Sequence, residues 1–129
     1  MPEGTRRILI VEDDRFLRKA AEAALRRHGF AVLTAADGEE GLRVARAEVP
    51  DLVLLDLIMP GLQGFEVLRQ LKANDATSKI PVIVMSNLSQ DNDMEQALIG
   101  GAEAYLIKAN LSLDDLVKRI KDLFAARAG

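Results

Sequence analysis

The chain has 129 residues, 49% of them apolar and 29% charged, which suits one globular domain with one core and excludes a disordered tract. There is no cysteine, so disulfides, zinc–thiolate sites and thiol nucleophiles are excluded. A net charge of -3 with no basic patch gives direct nucleic-acid binding no electrostatic footprint, and no apolar run is long enough to span a bilayer.

In chain order, short β-branched and leucine runs alternate with segments of helical period. The first run is Ile8–Val11, ending in Glu12-Asp13-Asp14, with Asp14 the expected N-cap of the helix that follows. Leu17, Ala21, Ala24 and Leu25 fall at i, i+4, i+7 and i+8, and Gly29 closes that helix with a residue tolerant of positive φ. A second strand is predicted over Phe30–Ala35, and Asp37 with Glu40 makes a capping-box-like pair opening the second helix. Leu52–Asp56 reads as the third strand, followed by a Met59-Pro60-Gly61 turn and a helix marked by Phe65, Leu68 and Lys72. Pro81–Ser86 is the fourth strand. Met94, Ala97 and Leu98 mark the fourth helix before Gly100-Gly101, and Ala104–Lys108 is the fifth strand. Ser112 caps a last helix with a stripe of Leu116, Val117, Ile120, Leu123 and Phe124. The basic residues of the first and last helices read as solvated faces, as does His28 at a helix C-terminus.

Strands this uniformly apolar suit a parallel sheet covered on both faces, and five β–α units argue for an open α/β fold. Ligands of such sheets bind at the carboxyl ends of the strands. Those ends carry Glu12, Asp13, Asp56, Ser86 and Lys108. Clustered carboxylates raise one another's pKa unless a positive charge sits among them, and a hard divalent cation such as Mg²⁺ meets that need. Lys108 supplies a point charge for a phosphate or for Asp56. A carboxylate so placed is a nucleophile for phosphorus, and a Ser86 hydroxyl in reach is a donor to a phosphoryl oxygen. Ser86 as a plain strand end, and Tyr105 as plain packing, are the alternatives.

The segments ILIVEDD, LVLLDLIMPGLQG, VIVMS and AYLIK, in this order over essentially the whole chain, resemble the CheY-like receiver domain of two-component response regulators. The resemblance implies a flavodoxin-like doubly wound sheet in the order 2-1-3-4-5. It implies Asp56 as phosphoacceptor, charged from a sensor histidine kinase, and Glu12 and Asp13 as the acidic pair, with Asp13 the more direct Mg²⁺ ligand. The backbone carbonyl of Ile58 is then the third protein ligand, Ser86 and Tyr105 the switch pair, and Lys108 the family's lysine.

On that footing the chain is expected to be a single cytoplasmic receiver domain over residues 1–129, core about 6–125, with no output domain after Gly129. It would be no enzyme on external substrates but a phosphoacceptor that assists its own phosphorylation and dephosphorylation. Its partners would be the kinase and a downstream effector, or a histidine phosphotransfer protein, met through the fourth helix, fifth strand and fifth helix. Neither nucleic acid nor membrane is expected as a partner, and a phosphorylation-dependent dimer is a further option. The alternatives are a phosphorelay intermediate and a degenerate receiver serving as a static docking module. A haloacid-dehalogenase-type phosphatase would want Asp where Ile58 stands. A flavin carrier would want a hydroxyl- and glycine-rich loop where Glu12-Asp13-Asp14 stands.

Three positions depart from the family pattern. Ala109 follows Lys108 where proline is usual, so a trans bond is expected there, a cis one costing about 2.5–4 kcal/mol. Asn87 follows Ser86 in place of a small residue, and Ile58 puts an apolar side chain beside the acceptor. Asn87 and Ile58 are expected to tune phosphoryl lifetime.

Overall fold

The computed structural model describes residues 5–59, 61–87 and 91–128, and the side chains of all of these except 91 and 128. The expected turn at Pro60 therefore lies outside the described residues. Strands β1 (Arg7–Val11), β2 (Ala31–Ala35), β3 (Leu52–Asp56), β4 (Val82–Ser86) and β5 (Ala104–Ile107) form one parallel sheet in the order β2-β1-β3-β4-β5. Helices α1 (Arg15–Arg27), α2 (Gly38–Glu48), α3 (Gly64–Ala73), α4 (Asp91–Ile99) and α5 (Leu113–Ala128) connect and follow them. This is the flavodoxin-like doubly wound fold. Among the described residues no helix is long and apolar enough to cross a membrane.

The two-residue period of the strands sorts their side chains between two cores. Leu9, Val11, Val53, Leu55, Val82 and Val84 pack with Leu42 of α2, Val67, Leu68 and Leu71 of α3, and Ala97 of α4. Ile8, Ile10, Leu52, Leu54, Ile83 and Met85 pack with Ala21, Ala24 and Leu25 of α1 and Leu116, Val117, Ile120 and Phe124 of α5. With helices on both faces, β1, β3 and β4 have almost no solvent-facing side, which is why their sequences read as unbroken apolar runs.

Side chains close the helix ends where expected. Asp14 Oδ1 accepts the N–H groups of Phe16 and Leu17, at 2.9 and 3.1 Å. Asp37 Oδ1 accepts Glu40 N–H at 2.8 Å, while Glu40 reaches one residue further back than in a standard box, to Ala36 N–H at 2.7 Å. Ser112 Oγ accepts Asp115 N–H at 3.0 Å. Gly29, after α1, has φ 90°.

Several boundaries differ from the sequence reading. Phe30 N–H bonds Leu25 O at 3.1 Å, completing the end of α1, so β2 starts at Ala31. Pro81 has no N–H to give a ladder, and β4 starts at Val82. Lys108 does not end β5 but opens a 3₁₀ turn, Lys108–Asn110, with Leu111 N–H on Lys108 O at 3.2 Å. The Lys108–Ala109 bond is trans, as expected.

In α3 the buried stripe is Val67, Leu68 and Leu71 rather than Phe65 and Lys72. The Lys72 stem runs alongside Gly101, and its ammonium donates to the carbonyls of Ser78 and Ile80, at 3.2 and 2.7 Å. In α4 only Ala97 of the three marker residues is buried, and Leu98 is exposed.

Candidate functional site

The strand order reverses direction between β1 and β3, which are paired with Val11 opposite Leu55. One residue on, Glu12 and Asp56 stand side by side at the carboxyl edge, at the switch point where such sheets hold ligands. Asp56 is 3% exposed and Glu12 fully buried, whereas Asp13 faces solvent. One carboxylate oxygen from each of the three lies within 4.8 Å of the others. The 3₁₀ turn after β5 brings Lys108 Nζ to 3.0 Å from Asp56 Oδ2 and 2.5 Å from Glu12 Oε1. The sequence suggested Asp56 as the lysine's partner; the structure adds Glu12, at the shorter distance.

Each group is held from several sides. Ile58 N–H donates to Asp56 Oδ1 at 3.1 Å, and Asp14 N–H to Glu12 Oε2 at 3.1 Å. Glu12 Oε1 is ion-paired with Lys108 Nζ at 2.5 Å. Burial raises the Glu12 carboxyl to about 7, with Asp56 adding to the rise while Lys108 and the Asp14 N–H oppose it. Burial alone would lower the Lys108 ammonium, but its pairing with Glu12 and Asp56 holds it above its ordinary value.

Ser86 ends β4 and is fully buried, and Tyr105 on β5 is half-buried against the α2–α4 core. Their side chains share a hydrogen bond. Burial raises the Tyr105 hydroxyl, Ser86 lowers it, and the charges of Asp93 and Asp56 raise it further. Ile58 is 54% exposed on the rim, and Asn87 is exposed after Ser86.

Two contributors were not foreseen. Arg18, read as part of a solvated face, is half-buried and donates through Nη1 to Glu12 O at 2.8 Å and to Asp13 O at 3.4 Å. Its signal was its place one turn into the helix that follows an acidic strand end. Arg26, on the same face, likewise donates to Val32 O at 2.9 Å. Gly64 is the second: a Cβ there would lie 2.3 Å from Leu57 Cα and 2.6 Å from Asp56 O. The start of α3 sits directly on the backbone that carries the acceptor, with Gly64 N–H on Leu57 O at 3.1 Å.

The donor set fits a hard divalent cation. Three carboxylates face one ammonium, and one buried carboxylate oxygen lacks a hydrogen bond. A groove of about 670 Å³ between α2 and α3, bordered by Leu42, Arg46, Leu62 and Gln70, shares no residue with this site.

This chain belongs to the response regulator receiver domain family, whose sequence model matches residues 8–121. It is 41% identical to Protein PilH of Pseudomonas aeruginosa over 119 residues, covering 92% of this chain and 98% of that protein. It is also 41% identical over 101 residues to the transcriptional regulatory protein AfsQ1 of Streptomyces coelicolor, 78% of this chain but only 44% of that protein. Among solved structures, a CheY-like receiver domain protein from Methanospirillum hungatei superposes with TM-score 0.90 at 27% identity, over 97% of this chain and 98% of that one. The receiver domain of the Francisella response regulator 1452 gives TM-score 0.88 at 26% identity, over 95% and 99%. The protein is therefore a two-component receiver, as its segments suggested.

Proposed function

We propose that Asp56 is the phosphoacceptor of a cytoplasmic receiver, charged from the phosphohistidine of a sensor histidine kinase. The observation that carries this reading is a buried carboxylate held 3.0 Å from a lysine and flanked by two more carboxylates at the switch point of the sheet. Asp13 and Asp56, with Glu12 and the Ile58 carbonyl, would hold Mg²⁺, which when bound supplies the charge neutralisation phosphoryl transfer requires.

The residues of the chain do the rest. Ile58 N–H on Oδ1 and Lys108 on Oδ2 fix the Asp56 carboxylate in one orientation. An Asp56 oxygen forms the O–P bond as the P–N bond to the donor histidine breaks; the bonding pair leaves with the imidazole, which takes up a proton. Lys108, kept charged by its carboxylate neighbours, offsets the incoming oxygens as a fixed cation.

The Ser86 hydroxyl then turns from Tyr105 to a phosphoryl oxygen. Tyr105, losing that partner, biases the α4–β5–α5 surface toward a second state, which an effector or a histidine phosphotransfer protein reads. The chain acts on no external substrate in this account. Incubation with acetyl phosphate and Mg²⁺, followed by intact-mass measurement, tests it. One phosphoryl adduct is expected, absent in Asp56→Asn and absent when the divalent ion is chelated. A wild-type chain that gains no adduct would be a static docking module instead.

A further inference from the structure

We infer that Arg18 is a positioning residue for Asp13, and so for divalent-cation binding at the acidic edge; the inference rests on the receiver reading above. Asp13 lies beyond the reach of the sheet. The last bond on its side is Glu12 N–H to Ala35 O at 3.0 Å, and among the described residues no hydrogen bond holds the Asp13 carboxylate. The direction of that side chain is therefore set by the two peptide planes that flank it. Arg18 grips both through one nitrogen, Nη1, on Glu12 O at 2.8 Å and Asp13 O at 3.4 Å.

The helix supplies the anchor. Asp14 caps α1 with its side chain, and Arg18 N–H bonds Asp14 O at 2.9 Å, so backbone and guanidinium of one residue tie the loop at three carbonyls. A ligand whose orientation depends on an outer partner binds metal less well when that partner is lost.

Charge and position predict opposite signs. As a cation near a cation site, Arg18 opposes Mg²⁺, so removing its charge alone would tighten binding. As a clamp on the loop it favours Mg²⁺, so removing it weakens binding. The test is Mg²⁺ titration of the full 129-residue chain, read by calorimetry without any phosphoryl donor, with thermal unfolding followed on every variant. Arg18→Met is expected to weaken Mg²⁺ binding about 10-fold. Arg15→Met is expected not to weaken it, because Arg15 is an exposed arginine of the same helix with no hydrogen bond to the loop among the described residues. Arg18→Lys, which keeps a donor for one carbonyl, should fall between wild type and Arg18→Met.

Unchanged or tighter binding in Arg18→Met overturns the inference and leaves Arg18 a charge-balancing residue. Should that variant fail to fold, Arg18→Gln carries the same two outcomes. A wild-type chain that binds no Mg²⁺, or binds it equally well as Asp13→Asn, overturns the underlying reading instead, and the two failures are told apart by that control.

Discussion

Replacing Lys108 by methionine isolates what one cation does for this fold. Its ammonium lies 2.5 Å from Glu12 Oε1 and 3.0 Å from Asp56 Oδ2, and those residues are 0% and 3% exposed. Truncating one partner of a buried ion pair costs about 3–5 kcal/mol. Lys108 retains some exposure and Asp13 opens the site to water, so the lower end, about 3 kcal/mol, is expected near pH 8.

The loss should depend on pH. Glu12 already has its carboxyl raised to about 7 in the folded chain, from 4.5. A raised carboxyl binds its proton more tightly when folded, so the stability it contributes is present at low pH and lost as pH rises through the folded value. Lys108 is one of the groups holding that value down, and its removal pushes the proton on harder. At about pH 5.5 Glu12 carries its proton, its repulsion with Asp56 is gone, and the Glu12 share of the loss disappears, while the loss of the Lys108 partner at Asp56 remains.

Urea unfolding of wild type and Lys108→Met at both pH values, with the divalent ion chelated, measures the difference; excess Mg²⁺ at the higher pH should restore part of it by mass action. An equal loss at both pH values, or one below about 1 kcal/mol at the higher, would refute the claim that a single ammonium neutralises two buried carboxylates.

Gly64→Ala should destabilise by about 1–3 kcal/mol or more in urea unfolding, because its methyl meets backbone at Leu57 and Asp56 rather than a movable side chain. Val49, a β-branched residue at φ 44° after α2, is 47% exposed, so Val49→Asn should stabilise by about 1 kcal/mol in the same assay. Ile58→Ala should speed loss of the phosphoryl group from the charged chain by removing an apolar rim beside the acceptor, as followed by intact mass over time. Asn87→Ala should change that lifetime too, and rates identical to wild type would remove Asn87 from the account.

The sequence was most readable where burial and charge contradict each other. An aspartate ending the run LVLLD announces a site because an unpaired buried carboxylate is costly, and Asp56 proves to be 3% exposed with a lysine against it. Caps at Asp14, Asp37 and Ser112 were legible because capping is local. Arg18 was hidden because its carbonyl partners lie across a turn from it, and a long side chain on a helix reads as solvated until its direction is known. The Glu12–Lys108 pair was hidden because the two are brought together only by the strand order. In α3 the markers Leu68 and Phe65 do meet the core, while Lys72 runs its methylenes along Gly101 to reach two carbonyls and the buried places fall to Val67 and Leu71, a division the helical period alone does not show.

The outermost strand β5 is a seam between the two helical layers. Tyr105 leans on the α2–α4 layer, while Ala104 and Leu106, its neighbours on either side, lean on the α1–α5 layer, and all four residues of the strand are only partly covered. A rearrangement on the tyrosine side can thus leave the opposite hydrophobic layer undisturbed, because alternate residues answer to different layers. On the docking face proposed above, a partner would touch both layers at once and sense the offset between them.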